Sequence, residues 1–507
     1  MHDLLIIGGG INGAAVAELA AENGWSVALL EKDDFGAGVT SRSTRLIHGG
    51  LRYLEHAQVG LVRESLRERE ALLQEFPWQV RPVPFLIPVY RRDSRAAWWI
   101  RAGLATYQLI GHSSRVPRHR ALDAAGARRL EPGLESRGLR GGFQYYDCQA
   151  VYPERLALEL ALRASERGAE VRNHAPVTGF LVERGAVTGV RVEDGQEHRA
   201  RLVINAAGPW ADAVRRLLPA APRRPLLRLV SGAHLVVAGF PGAPSHAIYH
   251  EASSDRRPFF ILPWRGLWLI GTTETECGED PHAAAPTQAE VEYLVRETNL
   301  LFPGAGLRAE SVLYSYAGPR PLLHSTGNGA QALSRDHAIY DHEKQEGLGG
   351  LMTLVGGKLT TARAFAQQAL AVAAAKLGRG RLIRRAPATP EADSLPPRLA
   401  EIYGGRAAEI VSLAARRPEL DRPVCASSPT TAAEIVYAVE REKARTLGDL
   451  LLRRTGLAFG PCLGRDCALE AARAAGPSLG WDEAGIQAAV AQYEQELSRT
   501  LYRGAAA

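Results

Sequence analysis

Leu4-Leu5-Ile6-Ile7-Gly8-Gly9-Gly10-Ile11-Asn12-Gly13 opens a unit that closes at Ser26-Val27-Ala28-Leu29-Leu30-Glu31. The apolar run before Gly8 suits a buried parallel strand. Gly8, Gly10 and Gly13 stand at the G-x-G-x-x-G spacing, where the first glycine makes a tight turn, the second lets the backbone approach a pyrophosphate, and the third lets helix and strand pack closely. A helix through Ala14, Ala15, Leu19 and Ala20 turns its free N–H groups and positive dipole end toward phosphates, and Gly24 is a suitable stop. Glu31 then arrives where a carboxylate accepts hydrogen bonds from a ribose 2′-OH, which disfavours a 2′-phosphate. Glycine turns between strand and helix are common. With a strand before, a helix after and Glu31 in register, the stretch reads as a dinucleotide site within an α/β fold.

Around this unit lies a chain of 507 residues, too long for one core, so two or three domains are expected. Leu229 to Ile248 lacks charge, but Gly232, Gly239, Pro241, Gly242 and Pro244 break it, and Ala364 to Ala375 is too short to span a bilayer. Asp3 and the first core strand leave no room for a signal peptide, so a cytoplasmic protein is expected. Cys148, Cys277, Cys425, Cys462 and Cys467 contain no C-x-x-C pair and read as reduced thiols, with no metal site expected. The net charge of +6 is carried almost wholly by arginine, without the dense basic face that a nucleic-acid partner would need. In a chain this poor in lysine, Lys358 inside an apolar glycine turn stands out.

The loop from Lys32 to Arg45 is rich in glycine and hydroxyls, including Thr40, Ser41, Ser43 and Thr44, and continues the dinucleotide cradle. His48-Gly49-Gly50-Leu51-Arg52-Tyr53 packs a His and an Arg around a glycine pair, which points to a substrate site. Gln58 to Glu75 reads as an amphipathic helix. Prolines punctuate the chain around a strand at Phe85 to Tyr90. Arg91 to Arg120 mixes arginines with Trp98, Trp99 and Tyr107, which suits either a helix on an anionic membrane surface or one packing its aromatics into the core. A strand from Leu202 closes on Ala206-Ala207-Gly208, where a backbone can come close to a ring or phosphate. Leu226 to Thr273 suggests a mainly antiparallel sheet ending at Gly271-Thr272-Thr273. Pro319-Arg320-Pro321 reads as a stiff loop aiming Arg320 at an anion. Val355-Gly356-Gly357-Lys358-Leu359-Thr360 repeats the strand, glycine, helix pattern and would stabilise negative charge. From Pro387 onward the chain reads as a helical accessory domain with no catalytic constellation.

Ile7 to Gly13, Leu46 to Glu55, Ile270-Gly271-Thr272-Thr273 and Gly356 to Thr361 together resemble the FAD-dependent glycerol-3-phosphate dehydrogenase family, over most of the chain. Arg45, where relatives often have lysine, and Glu274, where Asp is usual, depart from its pattern. The resemblance implies a Rossmann-like FAD-binding domain of the glutathione-reductase/D-amino-acid-oxidase type (residues 1–76, 151–213 and 335–385). An antiparallel-sheet substrate domain (77–150 and 214–334) and a C-terminal helical domain (386–507) complete the expected organisation. It implies that Gly8, Gly10, Asn12, Gly13, Glu31, Lys32, Thr40, Ser41, Ser43, Thr44, Ala207, Gly208, Gly357, Lys358, Leu359 and Thr360 hold FAD. His48, Arg52, Tyr53, Thr272, Thr273, Arg320 and Lys358 would form the catalytic set. The implied reaction oxidises sn-glycerol 3-phosphate to dihydroxyacetone phosphate, passing electrons to a quinone. Attachment to the inner face of the cell membrane and a homodimer are compatible with it. His48 is the preferred base because its unperturbed pKa lies near neutrality, whereas arginine stays protonated. An FAD enzyme for another small polar substrate, or a non-catalytic dinucleotide-binding module, would share the cofactor motifs.

Overall fold

A computed structural model describes residues 1–56, 58–111, 115–220, 224–324, 337–383 and 395–502. The expected domain boundaries at 334/335 and 385/386 lie outside them. The chain opens with β1 (His2–Ile7), α1 (Ile11–Glu22), β2 (Val27–Leu30) and β3 (Leu46–Ile47). Next come α2 (Val59–Glu75), β4 (Val80–Tyr90), α3 (Ala97–Gly111), β5 (Arg120–Asp123) and β6 (Leu139–Ala150). β7 (Glu170–Arg172), β8 (Val177–Glu183), β9 (Ala186–Val192) and β10 (Glu197–Asn205) follow, then β11 (Leu227–Val237), β12 (Ala247–Glu251), β13 (Pro258–Trp264), β14 (Leu267–Gly271) and β15 (Thr275–Glu276). The last large strands are β16 (Val312–Leu323), β17 (Ala338–Asp341) and β18 (Leu351–Val355).

One sheet runs β17-β18-β10-β1-β2-β7, with β8 and β9 extending from β10. β18, β10, β1, β2 and β7 pair parallel, and β1 is buried at its centre. α1 and the helices Pro153–Glu166 and Ala362–Leu377 are rich in alanine, so they lie close together over one face and bury it. The carboxyl ends of β1, β10 and β18 therefore deliver Gly8, Ala206 and Gly356 side by side, the crevice in which open α/β sheets bind ligands.

The second sheet runs β15-β11-β14-β13-β12-β4-β6-β3, with β16 on β11 and β5 on β6, antiparallel except for the β4–β12 pair. Leu46–Ile47 pairs with β6, so the chain first crosses to this sheet well before residue 77. Two readings from proline change. β4 runs through Pro82, Pro84 and Pro88, and Pro319-Arg320-Pro321 lies within β16 rather than in a loop. Both are positions where the strand has a ladder partner on one side only, so a missing N–H costs nothing.

The C-terminal region packs helices Ala407–Arg416, Ala432–Glu440, Arg465–Leu479 and Glu483–Thr500 beside a small hairpin of Pro423–Cys425 and Ser428–Thr431. Charge as well as apolar burial docks it on the cofactor sheet. Asp34, wholly buried, accepts from Arg453 Nε at 2.7 Å and from Arg454 Nη1 and Nη2 at 2.7 and 2.9 Å. Arg155 pairs with Glu442 at 2.6 Å. The Arg45 guanidinium pairs with Glu154 and lies over the Trp264 and Phe459 rings, at 4.2 and 4.7 Å.

Candidate active site

A cavity of about 900 Å³ runs along the crevice between the two sheets. At one end, the α1 N-terminus meets the Lys32–Arg45 loop: Thr40 Oγ1 accepts from the Ile11 amide at 3.1 Å, and Glu31 accepts from the Gly9 and Asp33 amides at 2.6 and 2.9 Å. Added Cβ atoms at Gly8 and Gly13 would lie 2.7 Å from Ala206 O and 1.9 Å from Gly8 O, which is why these positions are glycine. Gly357 holds φ +89° beside Asn12, whose Nδ2 donates to Gly356 O at 3.1 Å and so ties the first glycine turn to the last.

At the other end, His48 and Tyr53 from one stretch converge with Thr272, Arg320 and Lys358 from three others. Arg320 Nη2 donates to Thr272 Oγ1 at 3.0 Å. A Cβ at Gly232 would lie 2.4 Å from Arg320 Nη2, so the guanidinium crosses β11 only because that residue has no side chain. Lys358 Nζ is 4.1 Å from the Tyr53 ring centroid and is buried with no hydrogen-bond partner among the described residues. Burial pushes the His48 imidazole below its ordinary pKa; Asp147 raises it, and Lys358 and Arg69 lower it further. The ring is therefore neutral at pH 7 and able to accept a proton.

Among known proteins, the family model for FAD dependent oxidoreductases matches residues 3–389, and that for the C-terminal domain of alpha-glycerophosphate oxidase matches 352–486. A glycerol-3-phosphate dehydrogenase of Synechocystis sp. is 39% identical over 498 residues, covering 90% of this chain and 89% of the relative. The chain belongs to the FAD-dependent glycerol-3-phosphate dehydrogenase family. The family member from Mycobacterium leprae is 35% identical, covering 97% of this chain and 87% of its own. The solved glycerol-3-phosphate dehydrogenase from Bacillus halodurans, complexed with FAD, is 27% identical with a TM-score of 0.78, covering 99% of this chain and 95% of that one.

FAD, the cofactor of this family, fits what the residues offer. The clash-limited glycines leave a backbone cradle at a helix N-terminus, Glu31 offers a carboxylate of the kind that suits a ribose hydroxyl, and the Lys358 ammonium, without a hydrogen-bond partner among the described residues, can meet negative charge at the opposite end.

Of the residues expected from sequence, Gly8, Gly10, Asn12, Glu31, Lys32, Thr40, Ser43, Thr44, Ala207, Gly208, Gly357, Lys358, Leu359 and Thr360 line the cavity with the five above. Four do not. Gly13 packs behind the turn, and Ser41 Oγ donates within its own loop to Ala37 O and Gly38 O. Thr273 is buried, accepting from the Ala233 amide at 2.9 Å and donating to Glu290 at 2.6 Å. Arg52 lines a neighbouring cavity of about 300 Å³, because on the 3₁₀ turn Leu51–His56 consecutive side chains leave in different directions and Tyr53 takes the inward one.

Sequence reasoning missed His234, which lines the cavity, stacks on Tyr316 and shares a 2.9 Å hydrogen bond with Thr44 Oγ1. Burial, reinforced by Arg320 and Arg45, holds its pKa down to about 3. A histidine inside the apolar strand Ala233-His234-Leu235-Val236 was the available signal. Also missed were Arg42 and, from the region read as an accessory domain, Thr446, Arg453, Gln495, Arg499 and Tyr502 on the cavity wall.

Proposed function

We propose that this protein oxidises sn-glycerol 3-phosphate to dihydroxyacetone phosphate and delivers the electrons to a membrane quinone. The observation carrying this reading is the convergence of the His48 imidazole, held neutral by burial, and two cations, Arg320 and Lys358, at the far end of the dinucleotide cavity, where His234 also lies. Bound FAD supplies the hydride acceptor. The residues supply the rest: Arg320 and Lys358 hold the phosphate monoester, Tyr53 and Thr272 orient the hydroxyls, and His48 takes the C2 hydroxyl proton. Arg52 stands outside this set, in the neighbouring cavity. Replacing Arg320 with Met should raise KM about ten- to a hundredfold, the worth of a charge-assisted hydrogen bond, with a smaller loss in kcat, measured by steady-state kinetics. The reading is tested by anaerobic mixing with glycerol 3-phosphate while the visible spectrum is followed, and then by adding quinone or oxygen. Bleaching reversed by quinone supports it; a spectrum unchanged by the substrate defeats it.

Two features support a membrane acceptor. α3 buries only Leu104 and Tyr107, while Trp98, Trp99 and Leu109 are 69%, 47% and 79% exposed among arginines. The two tryptophans thus face outward, while Tyr107 alone of the helix's aromatics packs inward against Val62 and Leu66. Leu51, Leu54, Ile87, Trp99 and Ile100 give the 300 Å³ cavity beneath it mainly apolar walls. Among the described residues no helix is long and apolar enough to cross a membrane, so attachment would be at the surface. Replacing Trp98 and Trp99 together by Ala should shift activity from the membrane fraction to the supernatant at low salt. Complete recovery of the unaltered protein in the supernatant would count against attachment.

A further inference from the structure

We propose that Tyr107 is a positioning residue for the reaction: its hydroxyl, oriented by Asp147, grips the Gly49 amide and thereby sets where the His48 ring lies. This rests on the reading of His48 as the base.

His48 is followed by two glycines, so the turn has no side chains of its own to anchor it. Gly50 sits at φ +72°, and a Cβ at Gly49 would lie 2.6 Å from both Leu66 Cδ2 and Tyr107 OH. The backbone is thus pressed against α2 and α3 and held by two hydrogen bonds. On one side the His48 amide donates to Thr360 Oγ1 at 3.1 Å; on the other the Gly49 amide donates to Tyr107 OH at 2.7 Å.

The second bond is part of a buried chain with one allowed polarity. Tyr107 donates its only proton to Asp147 Oδ2 at 2.7 Å, which turns an oxygen lone pair toward Gly49. Asp147 Oδ1 accepts from Arg69 Nη1 at 2.7 Å, and Arg69 also donates to Glu70 at 3.0 Å. Arg69 and Asp147 are 4% and 2% exposed, and burial beside Asp147 raises the Tyr107 pKa well above its ordinary value. Tyr107 therefore stays protonated and cannot reverse the chain. A carboxylate-braced hydroxyl in a dry setting holds a peptide more rigidly than a solvated one does.

The charged groups facing His48 are Asp147 on β6, Arg69 on α2 and Lys358 after β18. Tyr107 contributes position without charge, whereas Asp147 contributes both. The two substitutions therefore separate the effects. Tyr107→Phe should lower kcat about tenfold with KM for glycerol 3-phosphate nearly unchanged, and should leave the acid limb of the pH profile in place. It should also speed amide hydrogen exchange in the peptide spanning residues 46–54. Asp147→Asn should lower kcat and move the acid limb to lower pH, because the group that raises the His48 pKa is gone while Arg69 and Lys358 remain.

The deciding measurement is a double-mutant cycle with His48→Asn. If Tyr107 acts through His48, Tyr107→Phe costs nothing further in the His48→Asn background; a loss of the same size there overturns the proposal. Unchanged kcat and unchanged exchange in Tyr107→Phe overturn it directly. If His48→Asn alone is reduced normally by substrate, the assignment of the base falls. The exchange measurement then still reports whether Tyr107 holds the turn.

Discussion

His48→Asn is expected to slow single-turnover flavin reduction by glycerol 3-phosphate about a thousandfold, within the range that a positioned general base contributes. Asn matches the imidazole in rough size and hydrogen-bonding capacity but cannot take the C2 hydroxyl proton, so the dissociation constant of substrate should change by less than about tenfold. The pH dependence gives an independent check. Burial holds the unaltered His48 pKa down, so the ring is a competent base from neutrality to below pH 6.5. Activity should fall only as pH drops through that lowered value, and the acid limb should vanish in the variant. Stopped-flow reduction at several pH values measures both effects. An unchanged reduction rate would remove His48 from the role.

Asp34→Asn is expected to destabilise the docking of the C-terminal region by about 3 to 5 kcal/mol, the cost of breaking a buried ion pair from one side. Asp34 is the shared acceptor for Arg453 and Arg454, and Asn173 Nδ2 donates to it at 3.0 Å. Arg453 keeps Asp449 and Glu496 as partners, and Arg454 keeps the Glu442 carbonyl, so neither arginine is left uncompensated and the cost falls at the lower end of that range. Arg453 also lines the cofactor cavity and Asp34 follows Glu31 by three residues, so the same change should weaken FAD retention. Limited proteolysis should cut the C-terminal region first, and flavin fluorescence should report release at lower temperature. Equal protease resistance and equal flavin retention would show that the apolar contacts suffice without Asp34.

Much of the candidate cofactor site was legible because each part of it is local. The Gly8 to Gly13 turn, the helix after it and Glu31 are dictated within about thirty residues by steric need and by unsatisfied helix N–H groups. The helix Ala362–Leu377 after Lys358 and the helix Val59–Glu75 likewise follow from short-range pattern. What sequence left open has a different character. Arg52 and Tyr53 are adjacent in sequence, and no pattern says which faces the cavity; only the path of the 3₁₀ turn decides that. Thr272 and Thr273 are another such pair, one on Arg320 and the other bonded to Glu290 behind it.

The sequence by itself determined the kind of fold, the strand-glycine-helix turn and the family, because glycine spacing and strand-to-helix order act over short distances. Only the tertiary structure decided which of the named residues meet at the candidate catalytic end and which unnamed ones join them. His234 and Arg320 enter through the β11–β16 register, Tyr107 reaches Gly49 from a surface helix, and Arg453 arrives from a region that sequence alone presented as a bystander. The physical reason is that sheet register and buried charge pairing join residues tens to hundreds of positions apart. The energy of those contacts exists only once the whole chain is packed.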